Sequence, residues 1–100
     1  MPRLPKPDPL FHQAVRTRLA VLLSKTALSF SELKSALEIT DGNLDAHLRK
    51  LAAEGYIESA MVLEGRPHTR YALSATGRKA FADYCKTMRT LLDETDESRN

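Results

Sequence analysis

The sequence predicts a mainly α-helical domain with a two-stranded β wing, in the order helix, helix, helix, hairpin, long helix. Three observations support this. Apolar residues recur at helical spacing in four segments. After Gly55 that period gives way to alternation, which runs through two short segments around a turn and ends near Ser74. Residues suited to starting or stopping helices stand at the segment boundaries. A chain of 100 residues has room for one domain, and the pattern divides it into an extended N-terminal arm over 1–7, a folded domain over 8–94 and a frayed acidic tail over 95–100.

The arm carries three prolines and two cations. Asp8-Pro9 has the chemistry of an N-cap followed by a first helical position, opening a helix that runs to about Ser24 with Phe11, Val15, Leu19, Leu22 and Leu23 near helical spacing. Ser29-Phe30-Ser31-Glu32 is a capping-box pattern, and the short helix behind it aligns Phe30, Leu33, Ala36 and Leu37. Ile39 follows in the turn. Thr40 caps a third helix reaching about Glu54, whose Leu44, Leu48 and Leu51 form one stripe, and Gly55 stands where a left-handed glycine ends it. Tyr56 to Leu63 reads as a strand, Glu64-Gly65-Arg66-Pro67 as a turn, and His68 to Leu73 as the returning strand. Ser74 caps a last helix, about Ala75 to Glu94, carrying Ala80, Phe81, Tyr84, Met88, Leu91 and Leu92. This is the element order of a winged helix-turn-helix with a C-terminal dimerisation helix.

Composition narrows the function. A hydrophobic fraction of 42% and a charged fraction of 28% are those of a soluble globular domain, and no stretch approaches the ~20 apolar residues of a membrane span. The proline-rich start is unlike a signal peptide, and the lone Cys85 fits a small core or interface residue in a reducing cytoplasm. His12, His47 and His68 stand apart and Cys85 has no cysteine partner at ligand spacing, so neither a metal nor another cofactor is expected. A phosphate-binding glycine loop and a nucleophile–base spacing are also missing, which sets an enzyme aside. The net charge of +2 is unevenly placed: eleven cations face eight carboxylates up to Arg78, and four face five beyond it.

With its leucine stripe buried, the third helix frees a face centred on Gly42, Ala46, Arg49 and Ala53, flanked by Asn43, Asp45 and Lys50. Small residues at the centre let a helix backbone approach the major groove closely. Asn43 suits adenine and Arg49 guanine, each by two hydrogen bonds, while Lys50 suits a phosphate. The Thr40 hydroxyl and the first free N–H groups of the helix suit another phosphate. Asp41 favours the positive helix N-terminus. Asp45 repels phosphate, and either accepts from cytosine N4 or marks a weaker binder. In the hairpin, Arg66 and Arg70 flank the turn beside His68, placed for the minor groove or its phosphates. Paired cations also solvate ordinary helix faces and turns, so each of these residues gains its meaning from the surrounding order of elements.

The last helix has more apolar surface than one side of a surface helix needs. Phe81, Tyr84, Met88 and Leu91/Leu92 form a stripe suited to another helix, predicting a two-fold homodimer with Leu10 and Phe11 near the seam. An apolar effector has room between the helices there, although no residue pattern calls for one.

The segments FHQAVRTRLAVLL (Phe11 to Leu23), LSFSELKSALEITDGNLDAHLRKLAAEGYI (Leu28 to Ile57) and TRYALSATGRKAF (Thr69 to Phe81) resemble the small winged-helix regulators of the MarR and ArsR type. With the hairpin, the resemblance covers nearly everything from Asp8 to Leu92. It implies a cytoplasmic transcription factor that binds double-stranded DNA at a pseudo-palindromic operator as a homodimer, with the helix over about 40–54 in the major groove and the wing over 64–70 on the adjacent backbone or minor groove. Carried over by position, Thr40, Asn43, His47, Arg49, Lys50, Arg66 and Arg70 would lie on or beside the DNA. Asp45 departs from the family pattern, in which small polar residues are usual. The alternative function is a winged-helix module that binds proteins through the same surfaces.

Overall fold

The computed structural model describes residues 3–95. Met1 and Pro2 of the expected arm, and residues 96–100 of the expected tail, lie outside them. The chain forms α1 (Ala14–Lys25), β1 (Leu28–Ser29), α2 (Phe30–Leu37), α3 (Asp41–Ala53), β2 (Ile57–Val62), β3 (His68–Leu73) and α4 (Ala75–Asp93). The strands make an antiparallel sheet in the order β1-β3-β2. This is a winged helix, with one more strand than the sequence predicts. β1 is only two residues long, too short for an alternation signal, and its Ser29 doubles as the N-cap of α2. Among the described residues no helix is long and apolar enough to cross a membrane.

The first helix starts later than Asp8-Pro9 suggests. Asp8 does cap a turn: its carbonyl accepts from the amides of Phe11 and His12 at 3.2 and 2.9 Å, and Oδ1 accepts from the Leu10 amide at 2.9 Å. The turn does not continue, because side chains take the next carbonyls. Arg16 Nε donates to the Leu10 carbonyl at 2.6 Å, and the Thr17 hydroxyl donates to that of Phe11. The helix opens instead at Gln13, whose side chain accepts from the Arg16 amide at 2.8 Å. The interruption lets Phe11 drop into the core.

Phe11 is fully buried. Its ring stacks on Tyr56 at 5.0 Å between centroids and meets Phe81 and Tyr84 at 5.1 and 5.9 Å. Contacts of this kind add roughly 0.5–1.5 kcal/mol each beyond the area they bury. Tyr56 also donates its hydroxyl to Asp8 Oδ2 at 2.7 Å, and that bond, with burial, pushes the phenol up to about 12. The segment before α1 is thereby pinned across the base of α4.

Leu19, Leu23, Leu33, Leu44 and Leu51 are the other large side chains that are fully buried, so α1, α2 and α3 share one core. α3 ends as the sequence predicts. Gly55, at φ 76°, donates to Ala52, and Tyr56 donates to Leu51, the paired bonds of a Schellman stop. The turn before α3 is tighter than its residues suggest. Glu38 adopts a left-handed conformation, φ 53° and ψ 51°, to close α2, and Thr40 then caps α3. In α4 the buried residues are Gly77, Phe81 and Tyr84, all in its first half.

Candidate nucleic-acid interface

The outward face of α3 is open. Gly42, Asn43, Asp45, Ala46, Arg49, Lys50 and Ala53 are all exposed, while Leu44, Leu48 and Leu51 are buried behind them. Thr40 Oγ1 accepts from the Asn43 amide at 3.2 Å, which fixes the start of the helix; a hydroxyl used this way can still donate. Lys34 of α2 meets Asp41 at 2.8 Å. Asp41 thus serves the first turn of α3 and the angle between the two helices.

Asp45 and Arg49, one turn apart, form an ion pair at 2.9 Å between Oδ2 and Nε. Neither alternative raised for Asp45 anticipates this. The carboxylate is engaged with the guanidinium that the sequence suits to guanine. Lys50 takes part in no ion pair found among the described residues.

His47 turns away from this face. It is half-buried, and its Nδ1 lies 3.1 Å from an Nη of Arg16, itself only 9% exposed. Burial first, then the cations of Arg16 and Lys50, hold the imidazole below its ordinary value of 6.5. A neutral ring accepting the Arg16 proton satisfies both partners. His47, which the resemblance puts on or beside the DNA, links α3 to α1 in this structure. Arg16 itself escaped notice in the sequence; its one visible signal is a cation beside Val15 and Leu19 on the apolar side of α1.

The wing extends from the paired residues Ile57 and Leu73 to Val62 and His68, with residues 63–67 as its tip. Arg66 is exposed on that tip, and its carbonyl faces His68 Nδ1 at 2.9 Å. Arg70 behaves differently from the tip residue the sequence suggests. It lies within β3 and turns back, donating to the Ala27 carbonyl at 3.0 Å and approaching Glu32 Oε1 at 3.4 Å. Bonds from the backbone and side chain of Ser29, followed by the Arg70 charge, hold the Glu32 carboxyl below the usual carboxylate range.

Two grooves flank the wing. One of about 230 Å³ runs between α3 and β2, past Asp45, Arg49, Glu58, Ser59 and Tyr71. The other, about 510 Å³, opens between the wing and the start of α2, with Arg66, His68 and Arg70 facing Glu32. The cations outnumber the carboxylates in the second groove and not in the first, so the wing side offers the more favourable field to phosphate.

The residues expected at a dimer seam separate into two groups. Phe11 has no exposed surface, and Phe81 and Tyr84 keep only 8% and 6%, because the chain's own aromatic cluster uses them. Tyr84 also pairs its hydroxyl with His12 Nδ1 at 3.1 Å. Leu10, Met88 and Leu91 remain half-buried, and Leu92 is 62% exposed.

Known proteins share this arrangement. An uncharacterised protein of Methanocaldococcus jannaschii is 39% identical over 77 residues, 75% of this chain and 84% of its own length. A transcriptional regulator homologue from Pyrococcus horikoshii OT3 superposes with a TM-score of 0.80 at 26% identity, over 87% of this chain and 88% of that one. A MarR-family transcriptional regulator from Enterococcus faecalis V583 has the same fold, with a TM-score of 0.74 at 21% identity over 90% and 82% of the two chains. Both solved structures share the winged-helix fold of this chain. Residues 15–92 match the family described as winged helix DNA-binding domain, and the chain belongs to that family.

Proposed function

We propose that the chain is a homodimeric transcriptional regulator that inserts α3 into the major groove of a pseudo-palindromic operator and lays its wing on the flanking backbone. One observation carries the reading: α3 presents Gly42, Ala46 and Ala53 to solvent between Asn43, Arg49 and Lys50. That combination lets a helix approach base edges closely and still offer hydrogen bonds to them. Arg66 supplies the wing contact.

The second half of α4 supports the dimer. Met88, Leu91 and Leu92 keep apolar surface that the chain's own core does not cover, and Leu10 adds to it. A two-fold axis beside α4 would bury this surface and leave both α3 helices free.

Selection of bound fragments from random DNA tests the reading directly. The expected product is an inverted repeat with half-sites about 10–10.5 bp apart or a multiple of that. Arg49→Ala should erase discrimination among fragments, and Arg66→Ala should weaken all of them. The Asp45 and Glu58 carboxylates in the α3 groove favour a second reading, a module that binds a protein partner. Salt separates the two, because each phosphate contact contributes about 0.9 to the slope of log K against log salt. Binding indifferent to salt and to both substitutions would replace the first reading with the second.

A further inference from the structure

Beyond the three-stranded base, the wing stands on two strands. β1 pairs only with Tyr71 and Arg70 of β3, while Thr69 and His68 pair with β2 alone. An isolated two-stranded ribbon is marginal in water. Its direction therefore depends on what holds it at the point where the third strand stops, and Arg70 occupies that point.

The Arg70 guanidinium reaches across β1. It donates to the Ala27 carbonyl at 3.0 Å and lies 3.4 Å from Glu32 Oε1. The same carboxylate oxygen accepts from the Ser29 amide at 2.9 Å, while Ser29 Oγ accepts from the Glu32 amide at 3.2 Å. One oxygen thus joins the wing to the N-terminal cap of α2. From α2, Lys34 meets Asp41 in the first turn of α3 at 2.8 Å. Two separate polar links therefore tie the wing to α2 and α2 to α3.

We infer that Arg70 is a positioning residue: it sets the angle of the wing against α2 and α3, so that Arg66 and not Arg70 meets the DNA. The inference rests on the DNA-binding reading for its consequence, and on this geometry for its cause. The Arg70 and Glu32 side chains are 37% and 49% exposed, so the pair adds little to folding stability and its effect on the wing is separable from unfolding. Lysine is a poor substitute. One nitrogen, Nη1, meets both the carbonyl and the carboxylate, and the rigid guanidinium plane fixes its direction in a way an ammonium on a flexible stem does not.

The test uses the full chain with Arg66→Ala, Arg70→Ala, Arg70→Lys, Glu32→Gln and the double variant lacking both arginines, measured on a selected duplex over a range of salt. Arg66→Ala and Arg70→Ala should each weaken binding several-fold and lower the salt slope by the same single contact, about 0.9. The double variant should bind no worse than the weaker single one, and Arg70→Lys should recover only part of the loss. Glu32→Gln keeps the capping box, since glutamine also fills that position, but removes a negative charge from the groove. Simple electrostatics makes Glu32→Gln bind more tightly; a positioning role makes it bind more weakly. Amide exchange at Val62 and His68 without DNA should rise several-fold in Arg70→Ala and Glu32→Gln, with thermal midpoints near that of the parent. Multiplying losses in the double variant, with a slope lowered by two contacts, would show Arg70 on a phosphate and overturn the inference. So would tighter binding by Glu32→Gln or unchanged wing exchange. If Arg66→Ala has no effect on DNA while Arg70→Ala still loosens the wing, the positioning role stands and the DNA reading of the wing falls.

Discussion

Arg49 and Asp45 face solvent together on α3, joined at 2.9 Å, so the guanidinium nearest the expected bases is already held by a carboxylate. An exposed pair one turn apart contributes only about 0.3–0.5 kcal/mol to a helix. Its larger effect is on the α3 face: Asp45 lowers the positive potential there and restricts the rotamers open to Arg49. Asp45→Asn should leave stability nearly unchanged, raise affinity several-fold on operator and scrambled duplexes alike, and steepen the salt dependence. Fluorescence anisotropy on the two duplexes checks this. Weaker binding confined to the operator would mean that Asp45 accepts from a base instead.

Gly77 sits against the backbone of Tyr56 at the start of α4. A methyl group built there would lie 1.9 Å from the Tyr56 carbonyl oxygen and 2.7 Å from its carbon. The same oxygen accepts from the Ser74 amide at 3.0 Å, so the wing's exit and the strand's entry share one contact point. Phe81, one turn further along α4, packs against Phe11 and Tyr84, which resists a shift of the helix. Gly77→Ala should cost about 3 kcal/mol, the upper range for overpacking, or ~12–24 °C in thermal midpoint for a domain of this size. Thermal unfolding at fixed protein concentration measures it, and an alanine variant within a few degrees of the parent would show that α4 docks more loosely.

Local signals made most of the fold legible. The Ser29 capping box, the Thr40 cap, the α3 leucine stripe and Gly55 each act within four residues, where chain chemistry alone decides the outcome. The missed features depend on distant partners. Arg16 meets His47 across 31 residues, and Arg70 meets Ala27 across 43. No spacing rule connects such pairs before the fold does. Phe11 illustrates the same point: its helical spacing is real, but carbonyl capture by Arg16 and Thr17 breaks the helix and redirects the ring inward. At the candidate site, the exposed cations were readable, and the carboxylates and carbonyls engaging them were mostly not.

Glu38 closes α2 with φ 53° and an exposed side chain. A non-glycine residue there costs roughly 1–2 kcal/mol, while glycine adds about 0.5–1 kcal/mol of unfolded-state entropy. Glu38→Gly should therefore stabilise the protein by about 0.5 kcal/mol, and DNA affinity should hold because the turn's geometry is kept. Urea unfolding gives the first quantity and anisotropy the second. A destabilised variant would place an unseen stabilising role in the Glu38 side chain.

The link between α1 and α3 makes stability depend on pH through His47. Burial, then Arg16 and Lys50, depress its folded value below 6.5, whereas the unfolded chain protonates near that ordinary value. Between the two values the unfolded state binds more protons, so stability rises with pH across that window. The contribution is complete above 6.5 and is lost as pH falls below it, levelling off beneath the folded value. His47→Asn supplies an acceptor in place of Nδ1 without a titrating group, so Arg16 keeps a partner at every pH. Urea midpoints taken stepwise downward from neutral pH should fall more steeply for the parent than for His47→Asn just below 6.5. Parallel curves would mean that Arg16 swings aside on protonation at no cost. The position of Arg16, 9% exposed with Nε bound to the Leu10 carbonyl at 2.6 Å, argues against that freedom.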